Sequence, residues 1–300
     1  MYRIIDGMAF KGEPSPNRWQ VTRRALSSGQ VELSIRRSID WVQWSRDGTD
    51  DWRAYYADKY GADKLAQLDA EQAAEREEKN RERAGRRAKT RVRHLCKVQG
   101  LDTLLTLTYR ANMQDPERAW KDLREFVRRV RRALPGFAFV AVPERQARGA
   151  IHWHLAVHRL PALLAARNGV KVKSFNVVRA IWRAVVGDVD GLAGGNVDVA
   201  RRRGRSTQRS AAKVAAYISK YVAKGFEDAA LTGAHRYSSS VGIVVPRAER
   251  REVLAESLAE VCGLVYGDAW DGELQLCGCW VCPYGDGAYF SAEVAPSGMG

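Results

Sequence analysis

The chain contains no apolar run approaching the ~20 residues that cross a bilayer. Its first residues, Met1-Tyr-Arg-Ile-Ile-Asp-Gly7, lack the charged-then-apolar pattern of a secretory leader. Both absences predict a cytoplasmic protein with no membrane partner. Cysteine is scarce, five in 300 residues, and the odd number in an intracellular chain argues against a disulfide framework. No Gly-x-x-x-x-Gly-Lys-Ser/Thr loop is present, which excludes a nucleotide-driven motor of that type. Acidic residues are outnumbered, 35 against 49 Lys and Arg, leaving a formal charge of +14 and a pI near 9.8. Such an excess creates a surface field that recruits polyanions.

The positive charge is clustered. Arg86, Arg87, Lys89, Arg91, Arg93 and Lys97 form one cluster, and Arg201, Arg202, Arg203, Arg205, Arg209 and Lys213 form a second. Contacts of this type hold a phosphate backbone without reading bases; either cluster also reads as a solvated basic segment. The hydrophobic content of 45% and the length allow one main buried core with appendages.

The middle of the chain reads as a β-α-β-β-α-β-α series. Leu104 to Tyr109 alternates as a strand. Asp115-Pro116 reads as an N-cap followed by proline at the first helical position, with a helix to about Ala133. Its buried stripe is Trp120, Leu123, Phe126, Val127 and Val130. Strands over 137–143 and 150–158 follow, then a helix near Phe175–Val186, a strand Asn196–Ala200 and a last helix from about Thr207. This order predicts an α+β fold, a central antiparallel sheet with helices packed on it.

That last helix carries Tyr217-Ile-Ser-Lys220-Tyr221-Val-Ala-Lys224, a tandem Tyr-x-x-Lys. Residues three and four apart share a helix face, so two phenols and two ammoniums can reach one pocket. A phenolate can attack phosphorus and later leave it, while a neighbouring cation stabilises the phenolate and the charge on the phosphoryl oxygens. Both tyrosines have a lysine three residues on, so the order of attack stays open. The same stretch taken alone also reads as an amphipathic helix with tyrosines inward.

Upstream, Gly149-Ala-Ile-His152-Trp-His154-Leu-Ala-Val-His158 alternates histidines with bulky residues. In a strand, His152 and His154 face the same side. A hairpin through the loop 145–149 would return Glu144 towards them. Two imidazoles and a carboxylate would hold Mg²⁺ or Mn²⁺, with imidazole favouring Mn²⁺. Gln146 is a weaker third ligand, and His158 lies too far along.

Together these motifs resemble the HUH endonucleases, specifically the two-tyrosine rolling-circle replication initiators of small phages and plasmids. The histidines precede the tyrosines, as in initiators, whereas relaxases reverse that order. Leu104-Leu-Thr106-Leu-Thr108-Tyr109 resembles the family's Thr-rich strand, and Arg236-Tyr237-Ser-Ser-Ser240 the segment after the tyrosine helix. The resemblance spans residues 99–245. It implies that His152, His154 and Glu144 hold the divalent cation and that Tyr217 or Tyr221 attacks single-stranded origin DNA. The product would be a 5′-phosphotyrosine and a 3′-hydroxyl that primes a host polymerase in a bacterial cell. Without a nucleotide-binding loop, unwinding would fall to a host helicase, with a single-strand-binding protein as a further partner. Two alternatives stay open: a two-tyrosine transposase, for which cysteine pairs ahead of residue 96 are lacking, and a non-catalytic basic DNA- or RNA-binding protein.

The flanks divide into a basic, Trp-rich region at 1–58, a charged helical linker at 59–98 and a Cys-containing extension at 246–300. Strands are expected at Trp19–Leu26 and Gln30–Ile35. Trp41, Trp44 and Trp52 could pack on a core or stack bases. Cys277, Cys279 and Cys282 could hold Zn²⁺ with Cys262 as fourth ligand, or form a reduced cluster. Ser291–Gly300 reads as a disordered tail.

Overall fold

The computed structural model describes residues 2–5, 8–26, 29–43, 57–165, 169–189, 192–199, 211–227, 236–269 and 274–294. It divides the chain into two compact units, Met1–Lys79 with Pro246–Gly300, and Asn80–Val245. Among the described residues no helix is long and apolar enough to cross a membrane.

In the first unit, β1 (Tyr2–Ile5), β2 (Met8–Leu26) and β3 (Gln30–Gln43) form an antiparallel meander. The two expected strands are extended, because the polar ends of β2 and β3 continue to pair with each other. The register shifts between Pro14 and Trp19, where Pro16 offers no backbone donor.

The strands β13 (Glu249–Leu254), β14 (Leu274–Val281) and β15 (Gly287–Val294) complete this sheet, in the order β1-β2-β3-β15-β14 with β13 on β2. Helix α5 (Leu258–Ala269) packs Val261 and Val265 on Trp19, Val21, Leu33 and Ile35. The tail expected from Ser291 is corrected here: Ser291 and Ala292 are buried in β15 beside Glu32 and Val31. Residues 295–300 lie outside the described residues, as do Trp44 and Trp52.

Helix α1 (Ala62–Val98) is charged and exposed along its first turns, and buries Val92, Leu95 and Cys96 near its end. The second unit is built on β4 (Thr103–Tyr109), β5 (Phe139–Arg145), β6 (Ile151–Val157), β11 (Gly195–Val199) and β12 (Ser238–Ser239). All pair antiparallel in the order β11-β4-β6-β5-β12. Two short hairpins, β7 (Leu163–Ala165) with β8 (Lys171–Lys173) and β9 (Asp188–Val189) with β10 (Leu192–Ala193), decorate it. The α+β class expected from the sequence is the one observed.

Helix α2 (Pro116–Ala133) begins as read: Asp115 caps it by accepting from the backbone N–H of Glu117 and Arg118 at 2.9 and 3.2 Å. Its stripe of Leu123, Phe126, Val127 and Val130 packs on one sheet face, each fully buried apolar side chain contributing about 1.5–3 kcal/mol. Helix α3 (Ser174–Val186) adds Val178, Trp182 and Val186 to the same core. Trp182 Nε1 donates to Thr108 O at 2.9 Å. A Cβ at residue 195 would stand 2.5 Å from that Nε1 and 2.4 Å from that carbonyl, so Gly195 is what allows β11 this close.

The opposite face is covered by the end of α1 and by α4 (Ala211–Glu227), whose Val214, Ala215, Ile218 and Val222 meet Val140, Val142 and Ala156.

Candidate active site

Strand alternation separates the two faces of the five-stranded sheet. Odd positions of β6, Ile151, Trp153, Leu155 and Val157, join the α2 and α3 core, which turns His152 and His154 towards α4. Glu144 stands directly across from His152 in the β5–β6 register. The tight connection makes this register: Gly149 N donates to Gln146 O at 2.8 Å and Gln146 N to Ala150 O at 2.9 Å, with Gly149 at φ +87°. Gln146 itself is exposed in the turn, and His158 is exposed beyond the end of β6.

The histidines are only 8% and 6% exposed. His154 is held from two sides, Nε2 lying 2.7 Å from Glu144 Oε2 and Nδ1 3.3 Å from Thr106 Oγ1. Thr106 is its register partner on β4, and Asp198 on β11 is the partner of Thr106. His152 Nε2 is buried with no hydrogen-bond partner among the described residues. Burial holds the His152 imidazole below its ordinary value, helped by Arg148 and His154 and opposed by Glu144 and Asp198. The ring is therefore favoured in its neutral, electron-pair-donating form.

Helix α4 sets its tyrosines at the rim of this patch. The Tyr221 ring stacks on His154, with centroids 3.9 Å apart and planes at 18°. Its hydroxyl donates to the Tyr217 oxygen at 2.7 Å, and the two phenols meet edge to face at 5.3 Å. Burial raises the Tyr221 phenol, and the hydrogen bond and charge of Tyr217, then Glu144, raise it further. Tyr217 is 36% exposed. The paired motifs are thus unequal: one tyrosine lies on the histidine, the other reaches solvent beside it.

Lys220 is exposed on the same helix, and Lys224 lies on its last turns. Lys213 is exposed on the first turn, while Arg201, Arg202, Arg203, Arg205 and Arg209 lie outside the described residues.

Two features facing the histidines escaped the sequence reading of the site, Asp198 and the Thr106 contact. The alternation Gly195-Asn-Val-Asp-Val199 carries the signal for Asp198, since Val197 enters the α2 and α3 core and its neighbours face the other way. What the sequence alone lacks is the pairing of β11 with β4.

Two imidazoles, a carboxylate and an orphaned His152 Nε2 on one face fit the chemistry of a divalent cation. Glu144 is engaged with His154, and among the described residues no three His, Cys, Asp or Glu side chains already enclose an ion position. The same holds at the other cysteines: Cys279 is exposed on β14, Cys282 is half-buried in the turn after it, and Cys262 sits on α5, its thiol raised by burial. The side chain of Cys277 lies outside the description.

Residues 102–226 match the family model of the replication-associated protein of the ORF2 type. That match supports a protein of the replication-initiator type, and it covers both the histidine strand and the tyrosine helix. No curated protein and no solved structure matches the chain.

Proposed function

We propose that the chain is a rolling-circle replication initiator of the HUH type, which nicks and rejoins single-stranded origin DNA through a tyrosine phosphodiester. The observation that carries this reading is the stacking of Tyr221 on His154, which brings the tyrosine pair onto the histidine pair from separate parts of the matched segment.

The more exposed Tyr217 is the first nucleophile. Its oxygen attacks the scissile phosphorus, forming the tyrosine O–P bond as the P–O3′ bond breaks. The phenolic proton leaves to water, and the departing 3′ oxygen takes one up. Tyr221, with its hydroxyl donating at 2.7 Å, stabilises the oxygen of Tyr217 while charge develops there. Lys220 and Lys224, on the same helix, are the cations assigned to the phosphoryl oxygens. Rejoining runs the reverse way: the 3′-hydroxyl attacks phosphorus and displaces the tyrosine, so the phosphodiester energy is conserved and no nucleotide is consumed. Tyr221 serves the second cut.

His152, His154 and Glu144 would hold Mg²⁺ or Mn²⁺, which bound there supplies Lewis acidity and a template for the phosphate oxygens. The low basicity of His152 keeps it available as a donor at neutral pH. Thr106 fixes the ring plane of His154 from β4.

The test is incubation with Mn²⁺ and single-stranded DNA of the chain's own replicon, followed by peptide mass spectrometry. The expected result is an adduct on Tyr217 that is lost on chelation and in His152→Ala. Tight binding without any adduct would replace the nickase with a binding protein.

A further inference from the structure

A cavity of about 470 Å³ lies on the side of the five-stranded sheet away from α4, between α2 and the edge strand β12. Its floor is apolar, formed by Leu123, Val127 and Phe139. Arg124, Arg128, Arg131 and Arg132 rise from α2 around it, with Ser238 and Ser239 on the β12 side. At this spacing the four guanidiniums form one stripe. They repel one another, so the unliganded helix gains nothing from having them together.

The stripe is partly ordered in advance. Arg131 donates to Ser240 Oγ at 3.0 Å and to Phe137 O at 3.4 Å, and its guanidinium lies 5.6 Å from the Phe139 ring centre. Arg128 is paired with Glu125 at 2.5 and 2.6 Å, and that one carboxylate is shared with Arg129. A single Glu therefore faces a groove lined by four arginines, and a strong positive field remains.

We propose that this groove binds the phosphodiester backbone of single-stranded DNA flanking the cleaved phosphate. The proposal rests on the nickase reading for the identity of its ligand. Forked guanidinium donors match phosphate oxygens, and the apolar floor accepts sugar and base faces. From Arg124 to Arg132 the stripe runs about 12 Å along the helix at ~1.5 Å per residue. That exceeds one phosphate and suits successive phosphates of a strand. The position fits as well. β12 has two residues and pairs with β5, the strand that carries Glu144 on the other face. A strand leaving the tyrosines needs to turn only around this short edge to reach the arginines.

The experiment compares the full chain with Arg124→Gln/Arg128→Gln/Arg132→Gln, leaving Arg131 to hold Ser240. The probe is a dT oligonucleotide of about 25 nucleotides, long enough for a site of the usual size and its flank. Binding at ~0.1 M salt should weaken at least ~10-fold, and the log–log salt slope should fall by about 2, from three contacts at ~0.7 each. A triple Arg→Lys variant should recover most of that slope, which separates lost charge from lost folding. A control, Arg76→Gln/Arg81→Gln/Arg83→Gln on α1, removes the same charge from exposed positions and should move the slope far less. An unchanged slope in the groove variant, or an equal fall in the control, overturns the proposal. If wild type forms no tyrosine adduct but the groove variant still loses slope, the nickase reading fails and the groove stands. An adduct with an unchanged slope means the reverse.

Discussion

The two faces of the five-stranded sheet share every strand and almost nothing else. Towards α2 and α3 the strands present Leu105, Leu107, Phe139, Ile151, Trp153 and Leu155 in one continuous apolar layer. Towards α4 the same strands present Val140, Val142 and Ala156 at one end, and Glu144, His152, His154 and Thr106 at the other. One face fixes the fold, and the other gives up part of its apolar packing to hold polar groups out of water. Burying such groups is costly unless they are partnered, which makes the unpartnered His152 Nε2 the more informative atom of the site.

This contrast can be broken most severely at Tyr217. Changing it to Phe should lower first-strand cleavage on the order of 10⁴-fold, as removal of a nucleophile does, with the melting temperature unchanged because the ring is 36% exposed. A large fall in thermal stability would show that the α4 face supports the fold as much as the other does. On the apolar face, Trp182→Ala should cost about 3–5 kcal/mol in denaturant unfolding, since Trp182 is fully buried and its Nε1 bonds Thr108 O. A loss below about 1 kcal/mol would mean that this face collapses around the hole.

A smaller effect is expected at Tyr109→Phe. The Tyr109 hydroxyl donates to Asp122 Oδ2 at 3.2 Å inside the apolar layer, where Arg118 also reaches Asp122 at 2.9 Å. Burial and the Asp122 charge raise the Tyr109 phenol. Losing this donor should cost about 1 kcal/mol, since Arg118 keeps the carboxylate partnered. Calorimetry of the two proteins would measure it.

The smallest effect lies on the solvent side of α2. Hydrogen bonds from Arg128, then Arg129, hold the Glu125 carboxyl down to about 2. A depressed carboxyl contributes stability above its unfolded value, near ~4.3, and loses it as pH falls towards about 2. Unfolding midpoints of Glu125→Gln should therefore depend slightly less on pH across that window than those of wild type. Parallel curves would show the pair to be fully screened.

Local chemistry made much of this legible in advance. The alternation around His152 and His154 is a period-two signal, and the short turn at 146–149 forces Glu144 opposite His152. Asp115-Pro116 announced α2 because a cap and a fixed φ are properties of adjacent residues. Asp198 was not legible as a neighbour of the histidines, because the pairing of β11 with β4 joins segments far apart in sequence. Nor was the inequality of Tyr217 and Tyr221, which depends on how Val214, Ile218 and Val222 seat α4 on the sheet. The strands near both termini were read short or missed because their charged and small residues break the alternation, and mutual pairing supplies what the pattern lacks.

The stacking of Tyr221 on His154 also gives the molecule a built-in magnetic gauge. An aromatic ring 3.9 Å above the imidazole shields the carbon-bound protons beneath it, moving the His154 ring resonances upfield of those of an exposed histidine such as His158. Any event that lifts α4, tilts the phenol or inserts a nucleotide between the rings will release that shift. The registration of helix against sheet can therefore be followed at a single side chain, without a label and without catalysis.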